Sequence, residues 1–188
     1  MHTIGERTAA VTITEFSDYE CPYCAGLEPV LAELIESMPG QLYFEFANFP
    51  LYEIHPHALT AALAAESVAA TAGESAFWKM HHQLMSHQAR LSDPDLRRYA
   101  DEAGGDPAMA TGDNAQRFAE TVRADYARGL QMGVAATPSL FINGDLYLGR
   151  LELPALRKAV NSHLNRQVLV PQHGPASGLA DQPSQPLH

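Results

Sequence analysis

The segment Gln41 to Ala47, QLYFEFA, is almost continuously apolar, and it constrains the fold more than any other stretch of the chain. A run this short, bounded by Pro39-Gly40 and Asn48-Phe49-Pro50, reads as a strand covered on both faces, which is the mark of a parallel sheet. Upstream, residues 10 to 17, AVTITEFS, alternate: Val11, Ile13 and Glu15 share one face, Thr12, Thr14 and Phe16 the other. Between these strands Pro22 suits the first position of a helix with the apolar stripe Cys24, Leu27, Leu31, Leu34, Ile35 and Met38. The three elements make a β-α-β unit.

Downstream the pattern turns helical. An Ala-rich segment after Pro56 stops at Gly73, and a second helix runs from about Ser75 to His87. Ser92-Asp93-Pro94-Asp95 starts a third. Asp113 to Gln116 has capping-box spacing before a helix with Phe118, Val122, Tyr126 and Leu130 on one stripe. Asn143-Gly144 then predicts a two-residue hairpin turn between strands Ser139 to Ile142 and Leu146 to Leu148, followed by a helix from about Pro154 to Asn165. The expected fold is α/β, with a helical block of residues 55–133 inserted between core segments 9–50 and 134–166. Residues 167–188, rich in Pro, Gly, Ser and Gln, read as a flexible C-terminal tail.

Charge excludes one class of partner. With 12 Lys and Arg against 22 Asp and Glu, a net charge of -10, the chain has no basic cluster for a phosphate backbone, so nucleic acid is not expected. No apolar run reaches the roughly 18 residues that span a bilayer, and the first ten residues lack the apolar core of a secretory signal. The chain as it stands reads as cytoplasmic, or as periplasmic or otherwise extracytoplasmic if a signal peptide has been removed.

The only two cysteines are Cys21 and Cys24, in Cys21-Pro22-Tyr23-Cys24. A loop this short is a poor structural staple, and no second pair completes a zinc site. Disulfide exchange needs a thiolate to attack and a neighbouring thiol to resolve, and this spacing at a helix start supplies both. The unpaired amides and dipole of the helix favour the anion of Cys21, while Cys24, a turn further in, is shielded. Lowering a thiol pKa from about 8.5 to about 6.5 raises the thiolate fraction at pH 7 from roughly 3% to roughly three quarters. Acidic neighbours Asp18 and Glu20 are expected to oppose this. His55, His57, His81 and His82 read as packing and capping residues, and no metal site is expected.

The segments FSDYECPYC, FPL with HPHA, FWKMHH, and TPSLFING with YLG occur in an order that resembles DsbA-like proteins of the thioredoxin superfamily. The resemblance, over about residues 10 to 165, implies a thioredoxin fold with a central mixed sheet built from β-α-β and β-β-α halves, plus an inserted helical domain. It implies protein thiol–disulfide oxidoreductase activity with Cys21 as nucleophile, Cys24 as resolving thiol, and no bound cofactor. Glu15 occupies the position of a buried acid that exchanges protons with the second cysteine. Thr137 and Pro138 occupy the place of a cis-proline loop that receives an extended substrate, and Pro22 and Tyr23 form the start of the active-site helix. Pro-Tyr between the cysteines departs from the Pro-His of the best-known member, which implies a weaker oxidant. Implied partners are polypeptide substrates and a redox-recycling protein or small thiol. The alternatives are a glutaredoxin-like reductase, whose signature is also Cys-Pro-Tyr-Cys, a disulfide isomerase, and a metal-binding or chaperone module using the same thiols.

Overall fold

The structure is a computed structural model that describes residues 1–168, so the expected tail lies outside the described residues apart from Gln167 and Val168. Five strands form one sheet: β1 (His2–Ile4), β2 (Val11–Ser17), β3 (Leu42–Asn48), β4 (Ser139–Ile142) and β5 (Asp145–Leu146). Their order is β1-β3-β2-β4-β5; β2 and β3 pair in parallel and every other pair is antiparallel, which gives the expected mixed sheet. β2 sits at the centre. Glu15 on it lies opposite Phe46 of β3 and Leu140 of β4.

The alternation of β2 sorts residues onto two cores. Val11 and Ile13 join Phe44, Phe46, Leu140 and Ile142 under helix α1 (Pro22–Ser37), which presents buried Cys24, Leu27, Leu31 and Leu34. Phe16 faces the other way, into a smaller cluster with Ala47, Phe49, Val134 and Phe141. Each large apolar side chain removed from water in this way contributes roughly 1.5–3 kcal/mol.

Helices α2 (Ala58–Ala72), α3 (Glu74–Ser86), α4 (Asp93–Ala103), α5 (Gly112–Ala115) and α6 (Ala119–Gln131) lie between β3 and β4 in the chain; α7 (Leu153–Val168) follows the hairpin. α2 is buried around most of its circumference because Ala58, Ala61, Ala62, Ala64 and Ala65 let its neighbours approach closely. α6 packs beside β3, where Tyr126 stacks on Phe49 with ring centroids 4.4 Å apart. Gly129 permits that approach: a Cβ there would lie 2.5 Å from Phe49 Cδ2 and 3.0 Å from Phe16 Cδ1.

Three details depart from the sequence reading, and a fourth, at the helix start read at Ser92, is as expected but capped differently. β1 has no alternation to announce it; it is held from outside, with His2 between Glu66 of α2, at 3.1 Å, and Glu74 of α3, at 2.9 Å. The helix expected from Asp113 is broken, because α5 gives way to a 3-10 turn at Gln116–Phe118 before α6 begins, and Leu130 at its end is exposed. Ser92 does precede α4, but its hydroxyl bonds the Asp95 carboxylate at 2.6 Å and leaves the helix amides uncapped by it. β5 stops at Leu146, so the pairing expected through Leu148 is not made. The Tyr147 amide adds one further bond to Leu140 O, then the tyrosine hydroxyl bonds Arg150 O and turns the chain away, leaving Leu148 87% exposed. The hairpin turn itself is as read, with Asn143 at φ 51° and Gly144 at φ 86°.

Candidate active site

Cys21 is the extended residue that caps α1, with φ -76° and ψ 117°, and Pro22 follows at the first helical position. Its carbonyl accepts from the amides of Cys24 at 3.1 Å and Ala25 at 3.2 Å, and its own amide donates to Asp18 O at 3.1 Å. The loop before β4 closes over it: the Cys21 thiol donates to Thr137 O at 3.3 Å, and the Thr137-Pro138 peptide is cis. Cys21 and Cys24 are both free thiols. The exposed thiolate expected from sequence is a shielded one. Cys21 retains 4% of its surface and Cys24 none, whereas Tyr23 between them is 75% exposed.

The two thiols are driven apart electrostatically. Cys21 is pushed down to about 5, first by the hydrogen bond from Cys24, then by Thr137 and the amides of Cys24 and Tyr23, against the cost of burial. Cys24 is pushed up by burial, by its bond to Cys21 and by the charge of Glu15. Glu15, 3% exposed on β2, is itself raised to about 7 by burial, with charges on Glu28 and Cys21 adding to it. Thr137 has two roles in this geometry. Its carbonyl accepts from the thiol, and its buried hydroxyl has no hydrogen-bond partner while the sulfur is protonated; the threonine lowers the thiol, which favours the anion.

The expected opposition from Asp18 and Glu20 does not prevail: neither is among the groups that shift Cys21, and their carboxylates serve as hydrogen-bond acceptors for the surrounding loops. Asp18, 1% exposed, accepts from the amides of Glu20 at 2.7 Å and Leu51 at 2.7 Å and pairs with His55 Nδ1 at 2.9 Å. Glu20 accepts from the His57 amide. The two acids fasten the loop after β3 to the turn that carries Cys21, a role the sequence reading missed; an Asp two residues before a backbone donor in a turn is the local signal for it.

Beside Glu15, α1 and α3 enclose a cavity of about 250 Å³ lined by Leu31, Ile35, Phe44 and Trp78, with Glu28, His81 and His82 among its polar walls. His82 Nδ1 lies 3.0 Å from Glu28 Oε1. His81 pairs with the Tyr19 hydroxyl at 3.2 Å and is pushed down to about 3 by burial, then by His82 and His2, so it is neutral. Among the described residues no group of three or more His, Cys, Asp or Glu is placed to hold a metal ion.

A central parallel pair flanked by antiparallel strands, with a Cys-x-x-Cys helix start facing the loop before β4, places the chain in the thioredoxin-fold class. The thioredoxin family model matches residues 1–162, and the chain belongs to that family. Among solved structures it is similar to BdbD from Bacillus subtilis, with a TM-score of 0.75 at 23% identity over 87% of this chain and 92% of that one. It is also similar to the thiol-disulfide exchange protein alpha-DsbA2 from Wolbachia pipientis, with a TM-score of 0.73 at 26% identity over 86% of each chain. The DsbA-like resemblance read from the sequence therefore stands. A Na(+)/H(+) antiporter, NhaA 3, of Salinispora tropica is 37% identical over 179 residues, which are 92% of this chain and 26% of the antiporter. The chain thus spans about a quarter of the length of the curated relatives it matches.

Proposed function

We propose that the protein exchanges disulfides with polypeptide thiols through Cys21 and Cys24, with Glu15 moving the proton of Cys24. The observation that carries this is the opposed pair: one thiol stabilised as an anion at a helix start, the other buried beside a carboxyl near neutrality. In the oxidising direction a substrate thiolate attacks Cys21 Sγ of the Cys21–Cys24 disulfide. The S–S bond breaks, a substrate–Cys21 disulfide forms, and Cys24 leaves as a thiolate that takes a proton from Glu15. A second substrate thiolate then attacks the substrate sulfur, and Cys21 departs as the stable anion while the substrate disulfide closes. Two electrons have passed from the substrate to the pair, and a recycling protein or small-thiol disulfide accepts them to restore it. No bound cofactor enters these steps.

The carboxyl of Glu15 must itself exchange protons with water, and the cavity at its side, with Glu28 and His82 in its wall, is the route we assign to that exchange. The lowered Cys21 thiol favours the reduced pair and makes the disulfide an oxidant. We therefore place the protein on the donating side, as a weaker oxidant than the best-known DsbA-like member, in keeping with Pro-Tyr between the cysteines. The likeness to a named thiol-disulfide exchange protein supports the reaction class. Ion transport, named for relatives of which this chain matches a quarter, is not carried over; among the described residues no helix is long and apolar enough to cross a membrane.

Incubation of the reduced single-cysteine variants with a protein that carries disulfides tests the reading. Cys24→Ser is expected to accumulate a mixed disulfide through Cys21, and Cys21→Ser to form none; trapping by Cys21→Ser alone would reverse the roles. A reduction potential below about -230 mV in glutathione buffers would move the protein to the reducing side.

A further inference from the structure

A helix start ordinarily gains a side-chain cap from Ser, Thr, Asp or Asn, worth about 1 kcal/mol. Here the capping residue is Cys21, whose sulfur is committed to chemistry, and α1 accordingly has no side-chain cap. The turn that carries the sulfur is instead held from a distance. Gln88, in the turn after α3, donates from Nε2 to Cys21 O at 2.8 Å and to Tyr19 O at 3.0 Å. The two carbonyls bracket Glu20, so one amide group fixes the last residues before the helix.

We propose that Gln88 is a positioning residue of the redox site, whose side-chain amide holds the Cys21 cap against Thr137 and aims the first amides of α1 at the sulfur. The proposal rests on the reading of Cys21 as the nucleophile. It has a second support in the way α3 grips the same turn: His81 on that helix bonds the Tyr19 hydroxyl at 3.2 Å, and Tyr19 packs on Phe46. Tyr19 is therefore held at its ring and at its carbonyl by one helix and its following turn, and Gln88 extends that hold by two residues to the reacting one. The donor is also chemically apt. Cys21 O already accepts from Cys24 and Ala25, and a further N–H on it draws electron density from the carbonyl of the reacting residue itself.

The test uses the full chain with Gln88→Met, which keeps length without donors, and Gln88→Glu, which keeps shape and turns donor into acceptor. The readout is the titration of Cys21 by thiolate absorbance and by iodoacetamide alkylation across pH 3 to 9, with thermal unfolding alongside. Both variants are expected to move the Cys21 midpoint upward by about half a pH unit or more, a threefold or larger loss of thiolate well below the midpoint, and Gln83→Met on α3 is the control expected to leave it in place. A Cys21 titration unchanged in both variants overturns the proposal, as does a lowered melting temperature with the titration intact, since that shows a tether and nothing more. A wild-type midpoint far above 5 instead counts against the reading of Cys21 itself, whatever the variants do.

Discussion

The Cys21 thiol and the Thr137 carbonyl meet at 3.3 Å although 116 residues of chain separate them. The hydroxyl of the same threonine is buried without a hydrogen-bond partner, and an ionised Cys21 is the acceptor that would give it one. Thr137→Val keeps the shape and the carbonyl but removes the donor to the thiolate. The Cys21 midpoint is expected to rise by about one unit, which makes the pair a weaker oxidant by roughly 30 mV. Thiolate absorbance against pH and equilibration with glutathione measure both; a midpoint equal to wild type would remove the hydroxyl from the site.

Glu15 carries a prediction about pH and stability. Its folded-state value of about 7 lies above the 4.5 of an unperturbed Glu, so the native chain holds this proton more tightly than the unfolded chain. The resulting stability is present in full below about pH 4.5 and is lost as pH rises through 7. Glu15→Gln lacks this dependence. The stability of the variant relative to wild type should therefore increase by about 3 kcal/mol from pH 4.5 to pH 8, read from urea unfolding of the reduced proteins. The same variant should slow the first step, attack of a substrate thiolate on the Cys21–Cys24 disulfide with departure of Cys24, while leaving release of Cys21 from the mixed disulfide unchanged in stopped-flow traces.

Gly129→Ala sets two magnitudes against each other. Alanine gains about 1 kcal/mol of helix propensity, while its Cβ would sit 2.5 Å from a Phe49 ring that Tyr126 stacks against and Phe16 meets edge-on. Pinned on both sides, the ring has no free direction to give way, and overpacking of this kind costs about 1–3 kcal/mol or more. The variant is expected to unfold at lower denaturant by a net 1–2 kcal/mol or so, with the Cys21 titration unmoved; a rise in stability would show that α6 slides freely on β3.

What the sequence made legible was local. Pro22 after Cys21 announces a helix start, the QLYFEFA run announces a strand with two covered faces, and Asn143-Gly144 announces its turn, because each rests on the conformational limits of a few adjacent residues. Glu15 is half legible: alternation puts it on the face of Val11 and Ile13, but its burial depends on α1 lying over that face. Gln88 is not legible at all, and Asp18 only in its local bond to the Glu20 amide, because their other partners, Cys21 O in one case and Leu51 N and His55 in the other, are brought near only by the packing of distant segments. Three-residue β1 is missed for the same reason: its His2 is held by two helices and not by any pattern of its own. The overextended β5 and the unbroken α6 are the opposite error, in which a local pattern continues past the point where Tyr147 and the 3-10 turn redirect the chain.

The strand order also sets when the site is completed. β2 and β3 are adjacent in sequence, so the cysteines acquire their helix as soon as the first β-α-β unit forms, but β4 reaches the other side of β2 only after the whole run of helices has been made. Until then the sulfur of Cys21 has the bond from Cys24 and the first amides of α1 but lacks Thr137. The last crossover of the fold therefore brings the final polar contact to a sulfur that the first β-α-β unit has already prepared.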